Sequence, residues 1–196
     1  MAAGESPPTV LRPCQESDIP ALNAIYSHYV HNSVATFATE PTTDEDQLQT
    51  FRSVKRQALP FIVGVDTSAS TAIVGHCYAS GFRPDRAGYR HTVEVSIWCH
   101  PAHQGRGVGT ALLRRMLAVL EQPGRWPEYA CDARPEDSIV RQVVVCMSVD
   151  EEGKRGGLAL KEFYERFGFE VVGRMKEVGH KFDRWIDTMY LQKSLW

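Results

Sequence analysis

The sequence lacks any apolar run long enough to cross a bilayer, so a membrane-spanning helix is not expected. Its first residues, "MAAGESPPTV", have neither a basic start nor an apolar centre, and we therefore expect no signal peptide. The five cysteines are odd in number and include no C-x-x-C pair, which argues against a disulfide framework and against a zinc site. These features predict reduced thiols, no bound metal and a cytoplasmic location.

A strong excess of charge is also absent. The net charge of −2 over 196 residues gives no broad footprint for nucleic acid. Hydrophobic residues make up 43% and charged residues 23%, which is typical of a globular protein, and no internal repeat or low-complexity segment interrupts the chain. The length is enough to bury a full core, so we expect residues 1–196 to form a single domain.

Hydrophobic periodicity predicts a mixed α/β order along the chain. Helices are expected over 16–30, 43–57, 111–120 and 158–169, with Ser17 as an N-cap and with Thr43 and Asp46 as a capping box. Strands are expected over 9–13, 60–66, 71–80, 91–100, 139–149, 169–179 and 185–192. Residues 122–138 hold three prolines among charges and are interpreted as a surface insertion. Three strands in succession before residue 100 argue against a simple doubly wound sheet.

Three alternating glycines stand directly before a predicted helix in "HPAHQGRGVGTALL", residues 100–113. The segment is not a Walker loop, because no lysine follows the glycines, and not a dinucleotide fingerprint, because Thr110 replaces the third glycine. One interpretation is that the amides of residues 105–110 bind a pyrophosphate at the helix N-terminus, helped by Arg106. The other is a glycine turn that only lets strand and helix pack closely.

Three blocks of the sequence resemble the GNAT N-acetyltransferases, and among them the phosphinothricin (methionine sulfoximine) acetyltransferases. The blocks are "IYSHYVHNSVATFATEP", "YASGFRPDRAGYRHTVEVSIWCHPAHQGRGVG" and "EVGHKFDRWIDTMYLQ". The resemblance implies an α/β fold whose mixed, largely antiparallel sheet splays between its fourth and fifth strands, with helices on both faces. It also implies acetyl-CoA as co-substrate, held by Ile97, Trp98, Cys99, Gln104, Gly105, Arg106, Gly107, Val108, Gly109 and Thr110.

Two residues are candidates for proton transfer in such a reaction. The resemblance places Glu94 where the family keeps its catalytic glutamate, and an apolar cleft would raise its pKa. By pattern alone Glu94 is a polar residue on the wet face of a strand. Tyr164 is the candidate acid for the departing thiolate, or else a core tyrosine of its helix. The branch usually has His at this point, and a family asparagine is replaced by Gly157.

For the acceptor, the resemblance points to Phe37, Arg83, Arg86 and Tyr89. The segment "FRPDRAGY" has one residue more than the branch's usual spacing, so either Asp85 or Arg86 takes the position that reaches the substrate. The expected acceptor is a small amino acid of the phosphinothricin, methionine sulfoximine or methionine sulfone type. Another amino acid, a polyamine or a protein N-terminus remains open, as does a CoA-binding protein without turnover.

The resemblance also implies a homodimer, with no nucleic-acid or membrane partner. The last predicted strand, "WIDTMYLQ", could present an apolar edge to a second copy. His180 and Trp185 could line the acceptor site or the dimer interface, or could simply pack against each other across a hairpin.

Overall fold

The computed structural model describes residues 9–68, 72–129 and 134–196. Every helix and strand expected from the sequence is present, with small shifts at the ends. The strands are β1 (Thr9–Pro13), β2 (Phe61–Asp66), β3 (Ala72–Gly81), β4 (Thr92–Cys99), β5 (Gln142–Val149), β6 (Glu170–Lys181) and β7 (Arg184–Ser194). The helices are α1 (Ile19–Asn32), α2 (Asp44–Arg56), α3 (Val108–Glu121) and α4 (Ala159–Glu165).

The strands form one sheet in the order β1-β2-β3-β4-β5-β7-β6. The pairs β1/β2, β2/β3, β5/β7 and β6/β7 are antiparallel, whereas β4 and β5 are parallel. The parallel ladder joins Thr92–Glu94 to Gln142–Val144 and covers only the first three residues of each strand. The prediction of a mixed, largely antiparallel sheet is confirmed.

The position of β7 corrects one expectation. The last strand does not form an edge of the sheet, because β5 pairs with one of its sides and β6 with the other. The exposed edge at this end of the sheet is therefore β6. Position along the chain does not determine position in a sheet, since a hairpin can insert its second strand between the first and an earlier one.

The start of α1 corrects another expectation. Ser17 is not the N-cap, because a short 3₁₀ turn over Glu16–Asp18 precedes the helix. Asp18 closes this turn by accepting the Gln15 N–H at 2.9 Å, and it pairs with the Arg12 guanidinium of β1 at 2.6 Å. The capping box of α2 is confirmed: Asp46 accepts the Thr43 N–H at 2.8 Å and donates its own N–H to the Thr43 hydroxyl at 3.2 Å.

The contacts within the chain define two compact units. The first contains the described residues of Met1–Tyr26, Thr42–Ala79 and Ile97–Arg134. Here α3 packs on β1 and β2, and α2 packs on β2. The largest fully buried side chains of this unit include Leu22, Ile62, Leu112, Leu113 and Met116. The predicted apolar side of α3 is thus its buried side.

The second unit contains Ser27–Pro41, Ser80–Ser96 and the described part of Pro135–Trp196. Its fully or almost fully buried residues include Val143 and Val145 of β5, Leu191 of β7 and Phe169 after α4. Gly168 ends the α4 segment in the left-handed conformation, with φ of 80°, as expected for a glycine after a helix.

Residues 122–138, interpreted as a surface insertion, are described except for 130–133. Most of the described side chains before this gap are exposed. Tyr129 is an exception: it is buried, and its hydroxyl donates to the Leu11 carbonyl at 3.1 Å and accepts from Arg115 at 2.8 Å. Among the helices of the described ranges, none combines the length and apolar character that a membrane span requires.

Candidate active site

The glycine loop joins β4 to α3. Gly105 and Gly107 have φ of 73° and 82°. Residues other than glycine adopt this left-handed backbone conformation only with strain. Gly107 is the N-cap of α3, and a short 3₁₀ turn over Pro101–His103 precedes the loop. Gly109 lies inside α3, so the chain conformation does not by itself require its lack of a side chain.

The start of α3 presents donors suited to an anion. The first bond of the helix runs from the Ala111 N–H to the Gly107 carbonyl at 2.9 Å. The N–H groups of Val108, Gly109 and Thr110 precede this bond and therefore have no acceptor within the helix. A Cβ at Gly105 or Gly107 would meet no atom of the described residues within 4 Å. The glycines therefore keep space in front of the helix dipole open, which is the geometry expected of a diphosphate site.

A glycine of β3 brings its strand close to the beginning of α3. A Cβ at Gly75 would lie 2.9 Å from the Trp98 carbonyl oxygen, 3.0 Å from Val108 and 3.2 Å from Leu112. Gly75 therefore allows the close packing that the alternative interpretation had assigned to the loop glycines. The sequence carried a signal for this residue, an isolated glycine within the β-branched run "AIVGHC".

Glu94 lies in β4, in register with Val144 of β5. Its side chain is half-buried, and this burial raises the pKa of its carboxyl above the ordinary value. A raised pKa brings a carboxylate closer to the pH at which it can both hold and release a proton, which suits a general base. Glu94 is therefore not a fully solvated strand residue, and its catalytic role stays a prediction.

Two residues that the sequence analysis did not identify lie near Glu94. Cys146 of β5 pairs in register with Tyr190 of β7, and their side chains form a hydrogen bond. Burial raises the pKa of both groups, and the charge of Glu94 raises both further. The positive charge of Arg83 acts on Tyr190 in the opposite direction. The tertiary structure thus brings together Arg83, Glu94, Cys146 and Tyr190, called the Glu94 cluster below.

The segment after β3 carries three of the predicted acceptor residues. Arg83 has a strained φ of 48°, and its guanidinium lies 5.4 Å from the centre of the Phe82 ring. The same ring contacts that of Tyr89 edge to face, with centres 5.4 Å apart. Arg86 lies exposed in the turn, and its N–H donates to the Arg83 carbonyl at 3.0 Å. The positive charge of Arg83 acts on Tyr190 of the Glu94 cluster, and the roles of Arg83 and Arg86 in acceptor binding stay predictions.

Phe37, the fourth predicted acceptor residue, lies in the segment after α1. Its ring covers Gly179 of β6, where any Cβ would overlap the ring, and 36% of Phe37 remains exposed. His180 and Trp185 form a cross-strand pair with ring centres 4.8 Å apart, and Trp185 is exposed. The two rings therefore pack against each other across the hairpin, and a place in the acceptor site or the dimer interface stays a prediction.

The remaining predicted residues have environments that limit their roles. Tyr164 is buried, with its ring 5.2 Å from that of Phe163 and 5.5 Å from that of Phe169. Burial raises the pKa of the Cys99 thiol to about 11, so this residue is not a thiolate at neutral pH. Gly157 has φ of 79°, and a Cβ there would lie 2.6 Å from the Asp150 carbonyl oxygen. The backbone thus explains why no side chain takes the place of the family asparagine.

The fold and the glycine loop together define a class of protein. The sequence profile of the acetyltransferase (GNAT) domain matches residues 11–190, and the chain belongs to this family of N-acetyltransferases. The chain is 32% identical over 185 residues to a phosphinothricin N-acetyltransferase of Alcaligenes faecalis, covering 94% of this chain and 82% of the relative.

Two further relatives agree with this assignment. An L-methionine sulfoximine/L-methionine sulfone acetyltransferase of Pseudomonas aeruginosa is 28% identical over 185 residues, or 94% of each chain. The crystal structure of a phosphinothricin acetyltransferase from Sinorhizobium meliloti in complex with acetyl-CoA superposes with a TM-score of 0.77. It is 29% identical, and the match covers 95% of this chain and 88% of that one.

Proposed function

We propose that the protein transfers the acetyl group of acetyl-CoA directly to the amino group of a small amino-acid-like acceptor. The expected acceptors are phosphinothricin, methionine sulfoximine or methionine sulfone. The observation that carries this proposal is the Glu94 cluster, in which a half-buried carboxylate of raised pKa shares its surroundings with the Arg83 guanidinium. A base for the amine and a cation for an acidic group of the same molecule are what such an acceptor requires.

Acetyl-CoA would bind with its diphosphate on the amides of residues 105–110, next to Arg106. The open space at Gly105 and Gly107 and the helix N-terminus support this placement. The pantetheine arm would follow β4 along Ile97, Trp98 and Cys99. A bound acetyl-CoA in the Sinorhizobium meliloti relative supports the same co-substrate here.

In the proposed reaction Glu94 takes a proton from the acceptor amine, directly or through one water. The amine nitrogen attacks the thioester carbonyl, the C–S bond breaks, and CoA leaves as a thiolate. Tyr164 is proposed to donate its phenol proton, of ordinary pKa about 10, to this thiolate, whose conjugate acid has an ordinary pKa of about 8.5, and the phenolate then regains a proton from solvent. Direct transfer requires no acyl-cysteine intermediate, and the raised pKa of the Cys99 thiol disfavours one.

The acceptor would be held by Arg83, with Phe37 and Tyr89 as aromatic contacts and Arg86 nearby. Arginine binds a carboxylate or phosphinate through paired hydrogen bonds, which explains a preference for acceptors that carry an acidic group. The names of the Alcaligenes faecalis and Pseudomonas aeruginosa relatives support acceptors with a tetrahedral polar group. Polyamines offer no anion to Arg83 and should be poor acceptors.

We also propose a cytoplasmic homodimer. The edge strand β6 exposes four apolar residues among charged ones. They are Val171, Val172, Met175 and Val178. An exposed apolar edge strand is open to pairing with a second copy. None of the cysteines in the described residues forms a disulfide, which suits a reducing compartment; they are Cys14, Cys77, Cys99 and Cys146.

The test compares kcat/KM for methionine sulfone and for spermidine in the wild type, in Arg83→Ala and in Arg86→Ala. Arg125→Ala serves as the control, since Arg125 is exposed and bonds to Gln122. We expect methionine sulfone to be preferred and Arg83→Ala to lower its kcat/KM about 10²-fold, the loss of one or two charged hydrogen bonds. A preference for spermidine, or full activity of Arg83→Ala, would refute the acceptor while leaving acetyl transfer intact. Failure of every amine to react would refute the proposed reaction.

A further inference from the structure

Lys181, the last residue of β6, is a lysine that the sequence analysis did not single out. Only 4% of the residue is exposed. Its ammonium donates to the Ser33 carbonyl and to the Thr36 carbonyl, each at 2.9 Å. These carbonyls lie in the segment 33–37, which follows α1 and carries Phe37. A single side chain of β6 therefore fastens the backbone of the Phe37 segment at two points.

The two hydrogen bonds of the Lys181 ammonium are strong because the residue is almost completely buried from water. Burial of a lysine is costly and lowers its pKa, so a buried lysine is retained where its donors are satisfied. Hydrogen bonds from a charged donor are shorter and stronger than neutral ones. The Ser33 and Thr36 carbonyl oxygens replace the water that the ammonium has lost. The same two hydrogen bonds restrain the backbone of residues 33–37.

Gly179 holds the side chain of the same segment. It is buried two residues before Lys181, on the same face of β6. The Phe37 ring lies directly over it, and a Cβ on this residue would overlap three atoms of the ring. Glycine is therefore required at this position because the Phe37 ring occupies the place of a Cβ. The backbone angles of Gly179 do not by themselves require glycine. One face of Phe37 is fixed by this contact, and 36% of the residue stays exposed.

An irregularity in β6 sets the positions of both residues. Between Met175 and Gly179 the strand has three residues opposite the single residue Asp187 of β7. The Asp187 carboxylate accepts the N–H of Glu177 at 2.8 Å, where φ is 52°, and it pairs with Arg174 at 2.6 Å. After this bulge the ladder resumes with Gly179 opposite Ile186. The bulge thus fixes the register that brings Gly179 and Lys181 to the Phe37 segment.

We propose that Lys181 and Gly179 are positioning residues that set Phe37 against the acceptor and so contribute to acceptor specificity. This inference rests on the proposed function, in which Phe37 contacts the acceptor amino acid. The two residues touch neither the acceptor nor acetyl-CoA, and their effect passes through the 33–37 segment. They should therefore affect acceptor kinetics and leave acetyl-CoA binding unchanged.

The first experiment measures hydrogen exchange of the 33–41 amides and steady-state kinetics in Lys181→Met. The control is Lys176→Met, which removes an exposed lysine from the same strand. We expect Lys181→Met to exchange faster at 33–41, to keep the KM for acetyl-CoA, and to lose about 10²-fold in kcat/KM for methionine sulfone, as a displaced contact does. Unchanged exchange at 33–41, or unchanged acceptor kinetics in a folded variant, would overturn the proposal.

The second experiment is a double-mutant cycle, which separates positioning from a general loss of folding. Gly179→Ala should impair acceptor kinetics in the wild type but have no further effect once Phe37→Ala has removed the ring. Equal losses in both backgrounds would show that Gly179 does not act through Phe37. If the wild-type protein acetylates no amino acid at all, the proposed function is wrong. If the wild type is active and both Lys181→Met and Gly179→Ala keep full activity, the proposed function stands and the positioning role of these two residues is wrong.

Discussion

The substitution Gly107→Val tests the diphosphate site most directly. Gly107 is the N-cap of α3 with φ of 82°, and a Cβ there meets no atom of the described chain within 4 Å. The cost to folding is therefore mainly backbone strain, about 1–2 kcal/mol for a residue with a side chain in the left-handed region. The cost to binding is larger, because the valine side chain occupies the space through which the diphosphate reaches the helix amides.

The magnitude follows from the donors that would be lost. Three amides at the start of α3 have no acceptor in the helix, and hydrogen bonds to a charged group contribute about 1.5–3 kcal/mol each. Losing two of them would weaken acetyl-CoA binding by about 3–6 kcal/mol, or roughly 10²–10⁴-fold in Kd.

The assay is calorimetric titration of acetyl-CoA alongside thermal unfolding. Gly168→Val is the matched control: Gly168 has φ of 80°, and among the described residues its Cβ would meet only the movable end of Lys193, at 3.3 Å. We expect both variants to lose similar stability and only Gly107→Val to lose affinity. Wild-type affinity in folded Gly107→Val, or an equal loss in Gly168→Val, would refute the assignment of the loop.

Three further predictions concern Glu94, Tyr164 and β6. Glu94→Gln should bind acetyl-CoA normally but turn over about 10²-fold more slowly at neutral pH, and the acid limb of the kcat/KM profile, set by the raised pKa of Glu94, should disappear. Because burial disfavours the carboxylate, the same variant should melt above the wild type at neutral pH, with the difference vanishing below about pH 4, where both side chains are neutral. Tyr164→Phe should cost less, since water can partly replace the phenol; a loss equal to that of Glu94→Gln would contradict this. Sedimentation should show a dimer that Val172→Lys dissociates, and a wild-type monomer of 22.0 kDa at micromolar concentration would exclude it.

Local patterns predicted most of the elements because they depend on near neighbours in the chain. The capping box of Thr43 and Asp46 and the apolar side of α3 appear where the sequence placed them. The prediction of Ser17 as an N-cap was wrong. The 3₁₀ turn before α1 is stabilised by Arg12 of β1, which forms an ion pair with Asp18 and not with Ser17. The prediction that β7 lies at an edge of the sheet was wrong, because strand order depends on which earlier strand a hairpin joins. No local sequence pattern contains that information.

For the candidate site, the sequence determined the class of chemistry through three blocks that resemble the GNAT N-acetyltransferases, because the pattern of the loop and of Glu94 alone left two interpretations open for each. A glycine loop before a helix and a glutamate in the preceding strand are local features, and the left-handed angles at Gly105 and Gly107 follow from residues that tolerate them. Only the tertiary structure decided which distant residues surround Glu94 and Phe37. Cys146 and Tyr190 come to Glu94 through the order of β4, β5 and β7, and Lys181 reaches the Phe37 segment through a bulge opposite Asp187. These contacts join residues up to 148 positions apart, and the hydrophobic periodicity and capping patterns of the sequence involve only residues a few positions apart.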